Sequence, residues 1–157
     1  MQVADAADAT TRPRAFHILL VEDNPGDIRL TEEVLKNTEL SCSVQTVQDG
    51  AEAIAYLRGE EPFTDRKLPN LVFLDLNLPK VSGTEVLAEI RRNPILKILP
   101  VVALSSSVNP DDVYNAYSLG ANCFVQKPAD LDQFFRFISM CYEFWCNIVT
   151  LPKSTHD

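Results

Sequence analysis

Five short apolar runs, each followed by a stretch with helical spacing, leave this chain few folds to choose from. The runs are Phe16–Val21, Ser43–Val47, Leu71–Asp75, Pro100–Leu104 and Cys123–Gln126. Runs of this length, continuously apolar, read as strands buried on both faces. Strands alternating with helices predict an α/β fold, a doubly wound parallel sheet of five βα units with helices on both faces. The common five-strand solution has the order 2-1-3-4-5. Ser43–Val47 alternates polar and apolar residues, which predicts a place at or near the sheet edge.

Local signals set the boundaries. Asp27 is a candidate N-cap for the first helix, whose apolar positions are Ile28, Leu30, Val34 and Leu35. Asp49-Gly50 opens the second helix and Gly59 stops it. Pro110 suits a first helical turn and Gly120 a left-handed helix end. The polar stretch 59–70 is longer than most connections. It reads as a surface insertion, with a partner contact as the sharper reading.

Composition excludes several classes. With 157 residues and 46% hydrophobic content, the chain predicts one domain with a sizeable core. The expected limits are an N-terminal tail over 1–15, the domain over 16–149 and a C-terminal tail over 150–157. Net charge is −8, without a basic stripe, which argues against nucleic-acid binding. No 18-residue apolar run or secretion signal is present, so no membrane span is expected. Cys42, Cys123, Cys141 and Cys146 form no C-x-x-C pair or zinc pattern. They read as small buried hydrophobes in a reducing compartment, and the expected location is cytoplasmic.

The carboxyl ends of the strands carry the chemistry. Strand 1 ends at Glu22 and Asp23, strand 3 at Asp75, strand 4 at Ser105 and strand 5 at Lys127. In the order 2-1-3-4-5 these ends converge at the topological switch point, where open α/β sheets bind ligands. Asp75 alone is either a helix cap or a reactive group. Three carboxylates with one lysine repel one another unless a cation neutralises them. All-oxygen ligation with few protein donors suits Mg²⁺, which shares its sphere with water and phosphate. A lysine and a hydroxyl opposite the metal read as contacts for phosphoryl oxygens.

The segments Val21-Glu22-Asp23-Asn24, Leu74-Asp75-Leu76-Asn77-Leu78-Pro79 with Ser82-Gly83, Leu104-Ser105-Ser106 and Phe124-Val125-Gln126-Lys127-Pro128 resemble the receiver domain of two-component response regulators. The resemblance spans about residues 16–148 and implies a flavodoxin-like (βα)5 fold. Glu22-Asp23-Asn24-Pro25-Gly26-Asp27, the longer loop and Leu119-Gly120-Ala121-Asn122-Cys123-Phe124 are similar to single-domain regulators that partner phytochrome-type histidine kinases. The resemblance implies that Asp75 accepts a phosphoryl group from a phosphohistidine. It implies that Asp23, Asp75 and the backbone carbonyl of Asn77 bind Mg²⁺, with Glu22 acting through metal-bound water. Lys127 would pair with the phosphoryl group, and Pro128 would follow a cis bond. Ser105 would move toward the phosphoryl oxygen and Phe124 would follow it inward as the switch, changing the face of helix 4, strand 5 and helix 5. Ser105 stands where threonine is more frequent, and Phe124 where tyrosine is.

The alternative from another class is a Mg²⁺-dependent phosphohydrolase with Asp75 as nucleophile. Such enzymes need an acid/base carboxylate two residues on, and Asn77 cannot transfer protons. The chain therefore reads as a phosphoacceptor, with only self-phosphotransfer and self-dephosphorylation expected. Nothing resembling an output domain follows the last helix, which predicts signalling by protein contact. On that helix Leu131, Phe134, Phe135, Ile138, Tyr142 and Trp145 share the face expected to meet the core. Phe137, Met140, Phe144 and Ile148 form a further apolar face, which predicts a homodimer.

Overall fold

The computed structural model describes residues 16–36 and 42–153. The parts of the two predicted tails at 1–15 and 154–157 lie outside them. Five strands, β1 (Phe16–Val21), β2 (Cys42–Val47), β3 (Leu71–Asp75), β4 (Val101–Ser105) and β5 (Cys123–Gln126), form one parallel sheet in the order β2-β1-β3-β4-β5. The helices are α1 (Pro25–Lys36), α2 (Gly50–Arg58), α3 (Gly83–Arg92), α4 (Pro110–Ser118) and α5 (Leu131–Tyr142). A 3-10 turn, Leu96–Ile98, precedes β4, and a π-helical segment, Glu143–Ile148, prolongs α5. The predicted fold class and strand order hold, and β2 lies at an edge. Among the described residues no helix is long and apolar enough to cross a membrane.

Successive strand residues point to opposite faces, and each face has its own core. On one side Leu19, Val21, Val72, Leu74, Val101 and Ala103 meet Ala53 and Leu57 of α2 and Val86, Leu87 and Ile90 of α3. On the other, Ile18, Leu20, Phe73, Val102 and Leu104 meet Val34 and Leu35 of α1 and Phe134 and Ile138 of α5. The four cysteines pack partly buried and are joined by no disulfide; burial pushes the thiols of Cys42 and Cys141 up to about 12. Such thiols stay protonated and behave as small hydrophobes.

Helix starts follow capping chemistry. Asp49, Ser82, Asn109 and Asp130 each accept a hydrogen bond from a first-turn N–H. The first helix departs from expectation. It begins at Pro25, so Asp27 lies inside its first turn. Asn24 Oδ1 accepts the Asp27 N–H at 3.0 Å. Proline at the first helical position needs no donor partner, and the cap lies at Asn24, three residues before Asp27.

The 59–70 connection is tied to the body. Arg66 donates to the carbonyls of Tyr56 and Leu57, at the end of α2. The Tyr56 hydroxyl donates to Lys67 O at 2.8 Å, and Phe63 packs on the first core. The cis bond found among the described residues is Glu61–Pro62 in this stretch; Lys127–Pro128 is not cis.

The last helix also corrects the sequence reading. Phe134, Ile138 and Tyr142 are buried, but Leu131 and Phe135 are exposed. Phe137, assigned to the outer face, packs half-buried on the second core. One helix against one sheet face buries only a narrow arc, so the ends of the predicted core stripe turn outward.

Candidate functional site: an acidic cluster around Lys127

The sheet ladder runs one residue past the strands and places the site. Glu22 N–H donates to Val47 O, Leu76 N–H to Leu104 O, and Lys127 N–H to Ser105 O at 2.8 Å. The register pairs Asp75 with Leu104 and Ser105 with Gln126. Glu22, Asp75, Ser105 and Lys127 are therefore neighbours at the carboxyl end of the sheet. Gly83 closes the floor: a Cβ there would stand 2.5 Å from Asp75 O and from Leu76 Cα.

Lys127 Nζ lies 2.5 Å from Glu22 Oε1, 2.9 Å from Asp75 Oδ2 and 3.0 Å from Asp27 Oδ2. Glu22 and Asp75 are buried, and Asp23 is exposed. Glu22 Oε2 accepts the N–H groups of Asp23 and Asn24, and Asp75 Oδ1 accepts the Asn77 N–H at 2.8 Å. Asn77 Nδ2 and the Ser107 N–H both donate to Ser105 Oγ, each at 3.1 Å. Phe124 is half-buried on the first core, and its N–H donates to the Tyr117 hydroxyl.

The electrostatics follow from crowding. Burial, then the hydrogen bond with Asp75, pushes Glu22 up to about 7 against the pull of Lys127. Burial would raise Asp75 too, but its hydrogen bonds with Glu22, the Asn77 N–H and Lys127 outweigh this and hold it below the usual range. Burial opposes the charge on Lys127, yet Glu22 and Asp75 hold its ammonium above its ordinary value. Two buried carboxylates therefore compete for one proton and one lysine.

Carboxylate oxygens of Glu22, Asp23 and Asp75 lie within 4.8 Å of one another. Three hard oxygen donors, one of them open to solvent, fit a divalent cation that keeps part of its water shell. Sequence reasoning found these residues because each ends a strand. It missed Asp27 as part of the cluster, because a capping signal on a helix says nothing of what the side chain reaches.

The response regulator receiver domain model matches residues 18–139. The chain belongs to the response regulator receiver family. It is thereby a response regulator of the two-component type, a signalling protein. It is 43% identical to response regulator Rcp1 of Synechocystis over 148 residues, 94% of this chain and 99% of that one. The phosphorylated cyanobacterial phytochrome response regulator RcpA is similar in structure, with a TM-score of 0.87 and 49% identity. That match covers 88% of this chain and 99% of the other. The Mn²⁺-bound form of Rcp1 matches with a TM-score of 0.84 and 44% identity, covering 90% of this chain and 100% of that one.

Proposed function

We propose that the chain is a single-domain response regulator whose Asp75 accepts a phosphoryl group from a phytochrome-type histidine kinase in a Mg²⁺-dependent relay. The observation that carries this reading is the convergence of Asp75, Glu22, Asp23 and Lys127 at the carboxyl ends of β1, β3 and β5. Its likeness to the phytochrome response regulator RcpA supports the choice of kinase class. Four cysteines joined by no disulfide fit a reducing, cytoplasmic setting.

In the transfer, an Asp75 oxygen attacks the phosphorus of a phosphohistidine. The P–N bond breaks as the P–O bond forms, and the imidazole leaves. Asp23, Asp75 and the Asn77 carbonyl would hold Mg²⁺, with Glu22 acting through its water, and the ion would supply positive charge for the phosphoryl oxygens. Lys127 supplies the opposing charge from the β5 side. Asn77 offers no acid or base, which suits a phosphoacceptor. Ser105, whose Oγ accepts two hydrogen bonds, moves to donate its hydroxyl proton to a phosphoryl oxygen, and Phe124 follows inward. The face of α4, β5 and α5 then reports the state.

The same reading includes a homodimer through the outward side of α5. Met140 and Ile148 are each 67% exposed, and Phe144 lies between them in sequence, half exposed. Phe137 flanks this patch from the core side.

The test is phosphotransfer from a phosphorylated histidine kinase, with and without Mg²⁺. The parent should be labelled only with Mg²⁺, and Asp75→Asn not at all. Undiminished, metal-independent labelling of that variant would overturn the proposal.

A further inference from the structure

An ammonium has three protons, and in this fold Lys127 offers them to three carboxylates. Two of these, Glu22 and Asp75, sit at strand ends. The third, Asp27, comes from the first turn of α1, 100 residues away in the chain. We propose that Asp27 is a positioning residue that competes with a phosphoryl group on Asp75 for the charge of Lys127. The inference rests on the reading of Asp75 as phosphoacceptor.

Asp27 is held where it is. Its N–H donates to Asn24 Oδ1 at 3.0 Å, and its carbonyl accepts the Thr31 hydroxyl at 2.7 Å. Its side chain is only 28% exposed and that of Lys127 10%, so water screens their attraction only in part. Asp27 draws the ammonium toward α1 and neutralises part of its charge. An anionic group on Asp75 draws it the other way. Asp27 thus lowers the stabilisation that Lys127 gives to the phosphorylated state, while keeping one of its three protons aimed away from Glu22 and Asp75. Replacing Asp27 by asparagine keeps the shape and an acceptor oxygen but removes the competing charge.

Beryllofluoride, an acyl-phosphate mimic, tests this by calorimetry in Mg²⁺, with parent, Asp27→Asn, Asp75→Asn and Asp65→Asn. Asp65, exposed in the 59–70 stretch, reproduces the change of net charge away from the site. Asp27→Asn should bind about fivefold tighter than the parent, and Asp65→Asn unchanged. In the metal-free protein the Lys127 ¹⁵Nζ resonance should shift in Asp27→Asn and stay in place in Asp65→Asn. A purely structural role for Asp27 predicts weaker binding in Asp27→Asn, the opposite sign. Equal or weaker binding in that variant, an equal gain in Asp65→Asn, or an unmoved Lys127 resonance overturns the inference. A parent that does not bind, or that binds no better than Asp75→Asn, instead overturns the phosphoacceptor reading beneath it.

Discussion

Lys127 Nζ stands 2.9 Å from Asp75 Oδ2, although 52 residues separate the two in the chain. The contact exists because β3 and β5 flank β4 in register and both side chains leave the same end of the sheet. The lysine offsets repulsion among buried carboxylates but cannot neutralise all of them. What remains is the attraction available to a divalent ion.

Metal should therefore stabilise the fold through Asp23. At an Mg²⁺ concentration about 100 times the dissociation constant, unfolding should cost about 2.7 kcal/mol more than in chelator. Asp23→Asn should lose most of that gain and keep the stability of the metal-free parent, since Asp23 is exposed. Urea denaturation with and without Mg²⁺ measures both. An undiminished metal gain in the variant would remove Asp23 from the ligand set.

Gly83 should tolerate no side chain. Alanine there would press a methyl against the backbone of Asp75 and Leu76, which cannot rotate away. The expected loss is about 2 kcal/mol, within the range of core overpacking, together with weakened metal binding. Gly26→Ala is the contrast. Its nearest obstacle is the Asn24 side chain at 3.3 Å, so the change should be near neutral. Paired denaturation curves decide, and equal effects would refute the steric argument.

His17 should make stability depend on pH. Its Nδ1 meets Ser43 Oγ and its Nε2 the Tyr56 hydroxyl, each at 2.7 Å. The Tyr56 proton is committed to Lys67 O, so Nε2 donates to the Tyr56 oxygen. Burial, then the charge of Lys67, holds its pKa below 6.5. For a group lowered on folding, the stability it contributes is full above the unfolded value and is lost as pH falls through the folded one. Glu22, raised to about 7, gains stability over the same range as it takes up a proton, so the contribution of His17 is read as a difference. Between about pH 7 and pH 5 the melting temperature of the parent should fall relative to that of His17→Gln, and a constant difference would acquit His17.

The α5 patch should hold two copies together. Sedimentation at tens of micromolar, about the range of weak association, should show a dimer for the parent and a monomer for Met140→Glu/Phe144→Glu. Both residues are exposed, so the variant should keep the parent's fold by circular dichroism. A monomeric parent would end the proposal and leave the patch to a different partner.

Much of this was legible before folding. Asp23, Asp75 and Lys127 could be read because a parallel sheet puts ligand groups where apolar runs stop, and the runs are unmistakable. Asp27 was misread because its short-range signal, a carboxylate near a helix start, is also what a cap looks like. Phe137 and Leu131 exchanged their expected environments because periodicity gives the relative angles of side chains around a helix, but not how the helix is rotated on the sheet.

The sequence by itself determined the parallel sheet and the carboxylates at the ends of its strands, since hydrophobic period and chain order constrain these directly, and the common solution for five such units supplied the strand order. Only the tertiary structure decided which carboxylates share Lys127, how Ser105 and Asn77 are paired, and which residues of α5 face outward. Those depend on distances between elements far apart in the chain, to within about an ångström, and no local pattern encodes them.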